Sequence, residues 1–148
     1  MVALNLPAFE YKVRTVGQRT QIFDKIRKKF VVLTPEEWVR QHFINFLHFE
    51  KKYPLSLMKI EKGVKYMQSA KRTDIVIYGT NGFPTVVVEC KSPDIKINAD
   101  TFEQVARYNI ALKANLIIVT NGLMHYCCYI DYNSNSFTFI EDIPPYIN

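Results

Sequence analysis

Thr85-Val86-Val87-Val88-Glu89-Cys90-Lys91 is apolar on both faces until its last three residues. Such a run predicts a central strand buried on both sides. With a side-chain period of two, Val87, Glu89 and Lys91 point to one face. An acid and a base thus emerge side by side where a buried strand stops. Burying those charges is costly unless something pairs them.

The segment just upstream supplies a partner. Asp74 to Tyr78 (DIVIY) is a second strand candidate rich in β-branched residues. Between the two lies Gly79-Thr80-Asn81-Gly82-Phe83-Pro84, a turn signal containing Asn-Gly. If the hairpin is centred between Asn81 and Gly82, facing residue numbers add to 163, the sum for Asp74 and Glu89. These carboxylates then become direct cross-strand neighbours, with Cβ atoms about 4.5–5.5 Å apart. Two facing carboxylates repel, and a divalent cation between them turns that repulsion into a binding site. Hard oxygen ligands suit Mg²⁺ or Mn²⁺.

Lys91 stands one alternation beyond Glu89. An ammonium there can orient or help deprotonate an attacking water and stabilise charge in the transition state. The metal would act as Lewis acid. Together these parts suit hydrolysis of a phosphodiester. The plainer reading is a surface ion pair between Glu89 and Lys91, with Asp74 simply opening a strand.

The rest of the chain predicts a layered α/β or α+β domain with a central mixed sheet flanked by helices. Thr34-Pro35-Glu36-Glu37 is a helix start, with Thr34 as cap and Glu37 completing a capping box. Val39, Phe43, Phe46 and Leu47 carry the helix to about Phe49. A loosely alternating strand follows over Leu57 to Met67. A second helix spans Ala99 to Leu112, with Phe102, Val105, Ala106 and Ile110 on one face. Further strands are expected over Asn115 to Thr120, Met124 to Tyr129 and Phe137 to Glu141. Near the N-terminus, Phe9 to Val16 alternates like a strand. The basic cluster Lys25, Arg27, Lys28 and Lys29 then reads either as a solvated face or as phosphate contacts.

The 148 residues have the size of one domain, divided into an N-terminal extension over 1–33 and a core over 34–142. The net charge of +5 fits a polyanionic partner without requiring one. The three cysteines have no metal spacing and read as buried thiols of a cytoplasmic protein. No basic leader with an apolar stretch opens the chain, and no apolar run is long enough to span a membrane. His42, His48 and His125 read as core or surface residues and Trp38 as a core anchor. No Gly-rich phosphate loop of an ATPase motor is present.

Asp74, fourteen intervening residues and then Glu89-Cys90-Lys91 resembles the D…E-x-K signature of PD-(D/E)XK nucleases, with Thr73 in place of the proline. Gln104 and Tyr108 in FEQVARYN resemble the Q-x-x-x-Y motif that follows it in type I restriction motor subunits and repair helicase-nucleases. Together LTPEEWVRQHFINFL, KRTDIVIY, VVVECKSP, TFEQVARYN and IIVTNG are similar to the N-terminal nuclease domain of a type I restriction enzyme R subunit, in a short stand-alone form. The likeness covers roughly Asp24 to Asp131.

That resemblance implies a restriction-endonuclease-like core and an Mg²⁺-dependent DNA endonuclease. It implies Asp74, Glu89 and the backbone carbonyl of Cys90 as metal ligands and Lys91 as the catalytic lysine. An acidic residue of the first helix would complete the centre. Glu36 is preferred, because it shares a face with Val39, Arg40 and Phe43, and Glu37 is the alternative. Gln104 and Tyr108, one helical turn apart, would contact DNA or buttress the E-x-K strand. Lys71, Arg72 and Arg107 would contact phosphates. The implied partners are DNA, a separate motor or restriction-modification subunit, and a second copy in a homodimer. The competing readings are a catalytically weak DNA- or protein-binding module on the same fold, and an RNase.

Overall fold

The computed structural model describes residues 1–62 and 73–147, with only the backbone for Lys62, Thr73, Asp74, Tyr108, Ile110 and Ala111. In chain order the elements are β1 (Val13–Val16), β2 (Arg19–Asp24), β3 (Lys29–Val32), α1 (Pro35–Phe49), β4 (Met58–Lys62), β5 (Thr73–Tyr78), β6 (Pro84–Cys90), α2 (Ala99–Leu112), β7 (Leu116–Thr120), β8 (His125–Asp131) and β9 (Ser136–Ile140). Strands β1 to β3 form one sheet and β4 to β9 a second, each ordered as in the chain. Neighbours in the larger sheet run antiparallel except β6 and β7, which are parallel with α2 as their crossover. The fold is α+β with a mixed sheet.

The apolar run over β6 explains the layering. Val86, Val88 and Cys90 pack into one core with Val39, Phe43, Ile44 and Leu47 of α1. Val87 joins the opposite core with Val76, Ile117, Val119 and Val105 of α2. One helix therefore covers each face of the strand, as a two-sided apolar pattern requires. Glu89 alternates with Val88 and Cys90 and so belongs to the α2 face. Its parallel partner Val119 lies in that same core.

The hairpin register agrees with the centred Asn-Gly turn. Ile75 pairs with Val88, Val76 with Val87 and Ile77 with Val86, each adding to 163. The shift between Ile77 and Tyr78 falls at the turn end of the ladder, away from the candidate site.

The N-terminal region differs from expectation. In place of one strand over Phe9 to Val16, three short strands form a sheet of their own. Gly17, at φ +63°, turns the chain from β1 into β2. Buried Ile22 and Asp24 fix which face of β2 turns inward. Of the strand expected over Leu57 to Met67, Met58–Lys62 is seen and the remainder lies outside the described residues. The three thiols are free and buried, as expected. Among the described residues no helix is long and apolar enough to cross a membrane.

Candidate active site

Glu89, the last residue but one of β6, has only 1% of its surface exposed. The Lys91 ammonium lies 3.4 Å from Glu89 Oε1. This spacing is looser than the 2.7–2.9 Å typical of a charge-assisted hydrogen bond. The Lys91 amide donates to the Thr120 carbonyl at 2.8 Å, which anchors the backbone where β6 leaves the sheet. The pair is thus not a solvated surface ion pair. Glu89 is a buried carboxylate at the end of a rigid central strand, with a partly exposed cation beside it.

The β5–β6 ladder runs to Ile75 and Val88. The next residue along each strand is Asp74 on β5 and Glu89 on β6. On its other side, the Asp74 backbone pairs with Glu61 of β4. Three acidic positions therefore follow one another across β4, β5 and β6 when the observed register continues by one pair. The side chain of Asp74 lies outside the described residues. Glu61 Oε1 accepts a hydrogen bond from the Tyr78 hydroxyl at 2.5 Å. Burial, reinforced by that carboxylate, pushes Tyr78 up to about 12. Glu61 was not among the residues expected from sequence, because the β4–β5 register depends on a connection with no hairpin signature.

The start of α1 holds a second charged cluster. The Thr34 hydroxyl accepts from the Glu37 amide at 3.0 Å, and Pro35 is the first helical residue. The Glu37 carboxylate, however, accepts from Arg27 at 2.7 Å, Gln41 at 3.0 Å and Arg40 at 3.0 Å. It is buried, whereas the side chain of Glu36 is 40% exposed and bonded to Arg40 at 2.7 Å. Arg27, from the β2–β3 turn, draws Glu37 inward. Arg40 is 2% exposed. Although burial opposes its charge, nearby Cys90, Glu37 and Glu36 raise its pKa further still. No motif marks Arg40 as a functional residue, although its i,i+4 spacing from Glu36 is visible in the sequence. These contacts place the α1 acids beside Arg40, within electrostatic reach of the E-x-K strand from the α1 side. Glu89 belongs to the α2 side.

Gln104 and Arg107 are exposed on α2. Arg107 also lines a groove of about 700 Å³ with Phe102, Ile130, Phe137 and Phe139. Lys71, Arg72 and the side chain of Tyr108 lie outside the described residues. Among the described residues no three His, Cys, Asp or Glu side chains gather at metal-binding range, a set that does not include Asp74. The donor chemistry nonetheless suits a hard cation. Glu89 presents carboxylate oxygen near a buried strand end, and Asp74 is the next position on β5 beyond the last observed pair, Ile75 and Val88.

Residues 35–144 match the family model described as Type I restriction enzyme R protein N terminus (HSDR_N). No curated protein and no solved structure matches the chain.

Proposed function

From the premise that the chain belongs to the type I restriction enzyme R protein N-terminal family, we propose that it is a divalent-metal-dependent DNA endonuclease module. The observation that carries this reading is the buried Glu89 at the end of β6 with Lys91 at 3.4 Å. Burying a carboxylate is costly even beside a cation, and a role in holding a metal ion would account for its place here.

In this reading Asp74, Glu89 and the backbone carbonyl of Cys90 would hold Mg²⁺ or Mn²⁺. When bound, the ion supplies Lewis acidity toward the scissile phosphate and the attacking water. Lys91 orients that water and stabilises the charge that builds on the phosphate oxygens. Glu36, with Glu37 as alternative, sets the charge at the α1 edge of the site through Arg40. Gln104 and Tyr108 of α2 position the substrate. Lys71, Arg72 and Arg107 neutralise phosphates along the bound strand. Membership of this family also favours a place in a restriction-modification assembly, with a separate motor subunit as partner. A homodimer would supply one centre for each DNA strand.

A plasmid-nicking assay with Mg²⁺ and Mn²⁺ tests this. The wild-type chain is expected to nick and the Lys91→Ala variant to lose at least a hundredfold in rate. Equal, metal-independent and negligible nicking by both would replace the nuclease reading with a DNA- or protein-binding module on the same fold. Equal activity on RNA and no activity on DNA would replace the substrate.

A further inference from the structure

Basic charge is not spread evenly along this chain. Residues 11–32 hold seven Lys and Arg against one Asp, a net +6, while the whole chain carries only +5. The single acid of that stretch, Asp24, is fully buried and bonded to Arg27. The remaining 126 residues are therefore close to neutral. The charged stretch is the three-stranded sheet, which precedes the family-matched residues 35–144.

The register sorts these residues by face. Arg14 pairs with Gln21, which pairs with Val32, while Ile22 and Asp24 occupy the alternate positions and are buried. The inward face of β2 is thus used for packing. Arg14 and Arg19, with Lys12 just before β1, fall on the opposite face, and all three are exposed. Arg14 and Arg19 stand diagonally across β1 and β2, about 7–8 Å apart at the backbone.

Arg14 is held in place. Its Nε donates to Gln21 Oε1 at 2.8 Å and its guanidinium sits 4.0 Å over the Phe30 ring. Phe23 packs edge-on against Phe30 at 5.3 Å. A fixed guanidinium loses little freedom on meeting a phosphate. The sheet is also tied to the rest of the protein near the candidate site. Arg27 bonds Glu37, and Glu37 bonds Arg40, which is within electrostatic reach of Cys90.

We infer that the outer face of the β1–β3 sheet, carrying Lys12, Arg14 and Arg19, is a wing that binds the phosphate backbone of duplex DNA independently of sequence. The inference rests on DNA being the substrate and adds a contact surface outside the matched family region. Charge selects the occupant: three exposed cations on this one face, and no exposed acid within the stretch, with Glu10 at its margin. Such a surface gains affinity by releasing counterions from a polyanion.

The test is DNA binding by the full chain in EDTA, measured against salt concentration on two unrelated duplexes. Removing three phosphate contacts with Lys12→Ala/Arg14→Ala/Arg19→Ala lowers the slope of log K against log salt by about 2.7, since each contact contributes about 0.9. Affinity at low salt falls at least tenfold on both duplexes. The double variant Lys12→Ala/Arg19→Ala spares the Arg14 stack on Phe30 and lowers the slope by about 1.8, so loss of the small sheet cannot mimic the result. An unchanged slope in both variants overturns the wing. Binding to phosphatidylserine vesicles that the variants lose, with duplex affinity intact, also overturns it in favour of a membrane surface. Because EDTA removes the divalent metal, a chain that never cuts DNA can still satisfy this test. A chain that cuts DNA while its triple variant keeps the wild-type slope overturns the wing alone.

Discussion

The ammonium of Lys91 stands 3.4 Å from Glu89 Oε1, and the two differ in their access to solvent: side-chain exposure is 20% for Lys91 and 1% for Glu89. A buried acid thus meets a cation that a substrate can reach. Under the proposed nuclease function, ion holding falls to the buried side and charge stabilisation to the open side. Lys91→Ala is accordingly expected to abolish cleavage while leaving Mn²⁺ affinity within about threefold of wild type, a margin of less than 1 kcal/mol. Single-turnover cleavage and calorimetric titration of the same preparations check this. Parallel loss of both properties would contradict the separation.

Gln104 is exposed on α2, so its side chain is available to a bound strand and not committed to the core. Gln104→Ala is expected to slow cleavage about tenfold through poorer substrate positioning, with Mn²⁺ affinity unchanged. A large loss of metal binding in this variant would move Gln104 out of the substrate-contacting role.

Arg40 is buried and bridges Glu36 and Glu37. Its removal leaves Glu37 with Arg27 as its remaining cation among the described residues. Arg40→Met is expected to destabilise the fold by about 3 kcal/mol, read by urea unfolding. The double variant Arg40→Met/Glu37→Gln should recover part of that loss, since a buried carboxylate that has lost one of its two cations is then neutral. A loss under about 1 kcal/mol for Arg40→Met would mean that the cluster is solvated.

Burial holds His42 and His125 below the ordinary imidazole value of 6.5. The unfolded chain therefore takes up protons at higher pH than the folded one. Their contribution to stability is whole above about pH 6.5 and is lost as pH falls from there toward the folded-state values. The melting temperature is expected to drop between about pH 7 and pH 5. The slope should flatten in the His42→Gln/His125→Gln variant. A pH-independent melting temperature in the wild type would contradict the buried, neutral imidazoles.

The central strand and its hairpin were legible because they depend on local chemistry. A run apolar on both faces has few other places to go, and an Asn-Gly turn sets the register from Ile75–Val88 to Ile77–Val86. The three-stranded N-terminal sheet was less legible. Its strands are four to six residues long, too short for alternation to stand out, and its inward face is recognisable only from the burial of Ile22 and Asp24. The different environments of Glu36 and Glu37 were not legible either. Helical spacing gives both a route to Arg40, and the choice is made by Arg27, a residue of a different element. Glu61 escaped notice for the same reason: its place beside Asp74 is set by tertiary pairing.

Mn²⁺ titration of the wild type, Asp74→Asn, Glu89→Gln and the double variant tests the proposed ion site most directly. Each single change is expected to weaken binding at least tenfold. The double variant should be little worse than either, because both carboxylates serve one ion and their effects do not add. Wild-type affinity in either single variant would mean that the two positions do not share an ion.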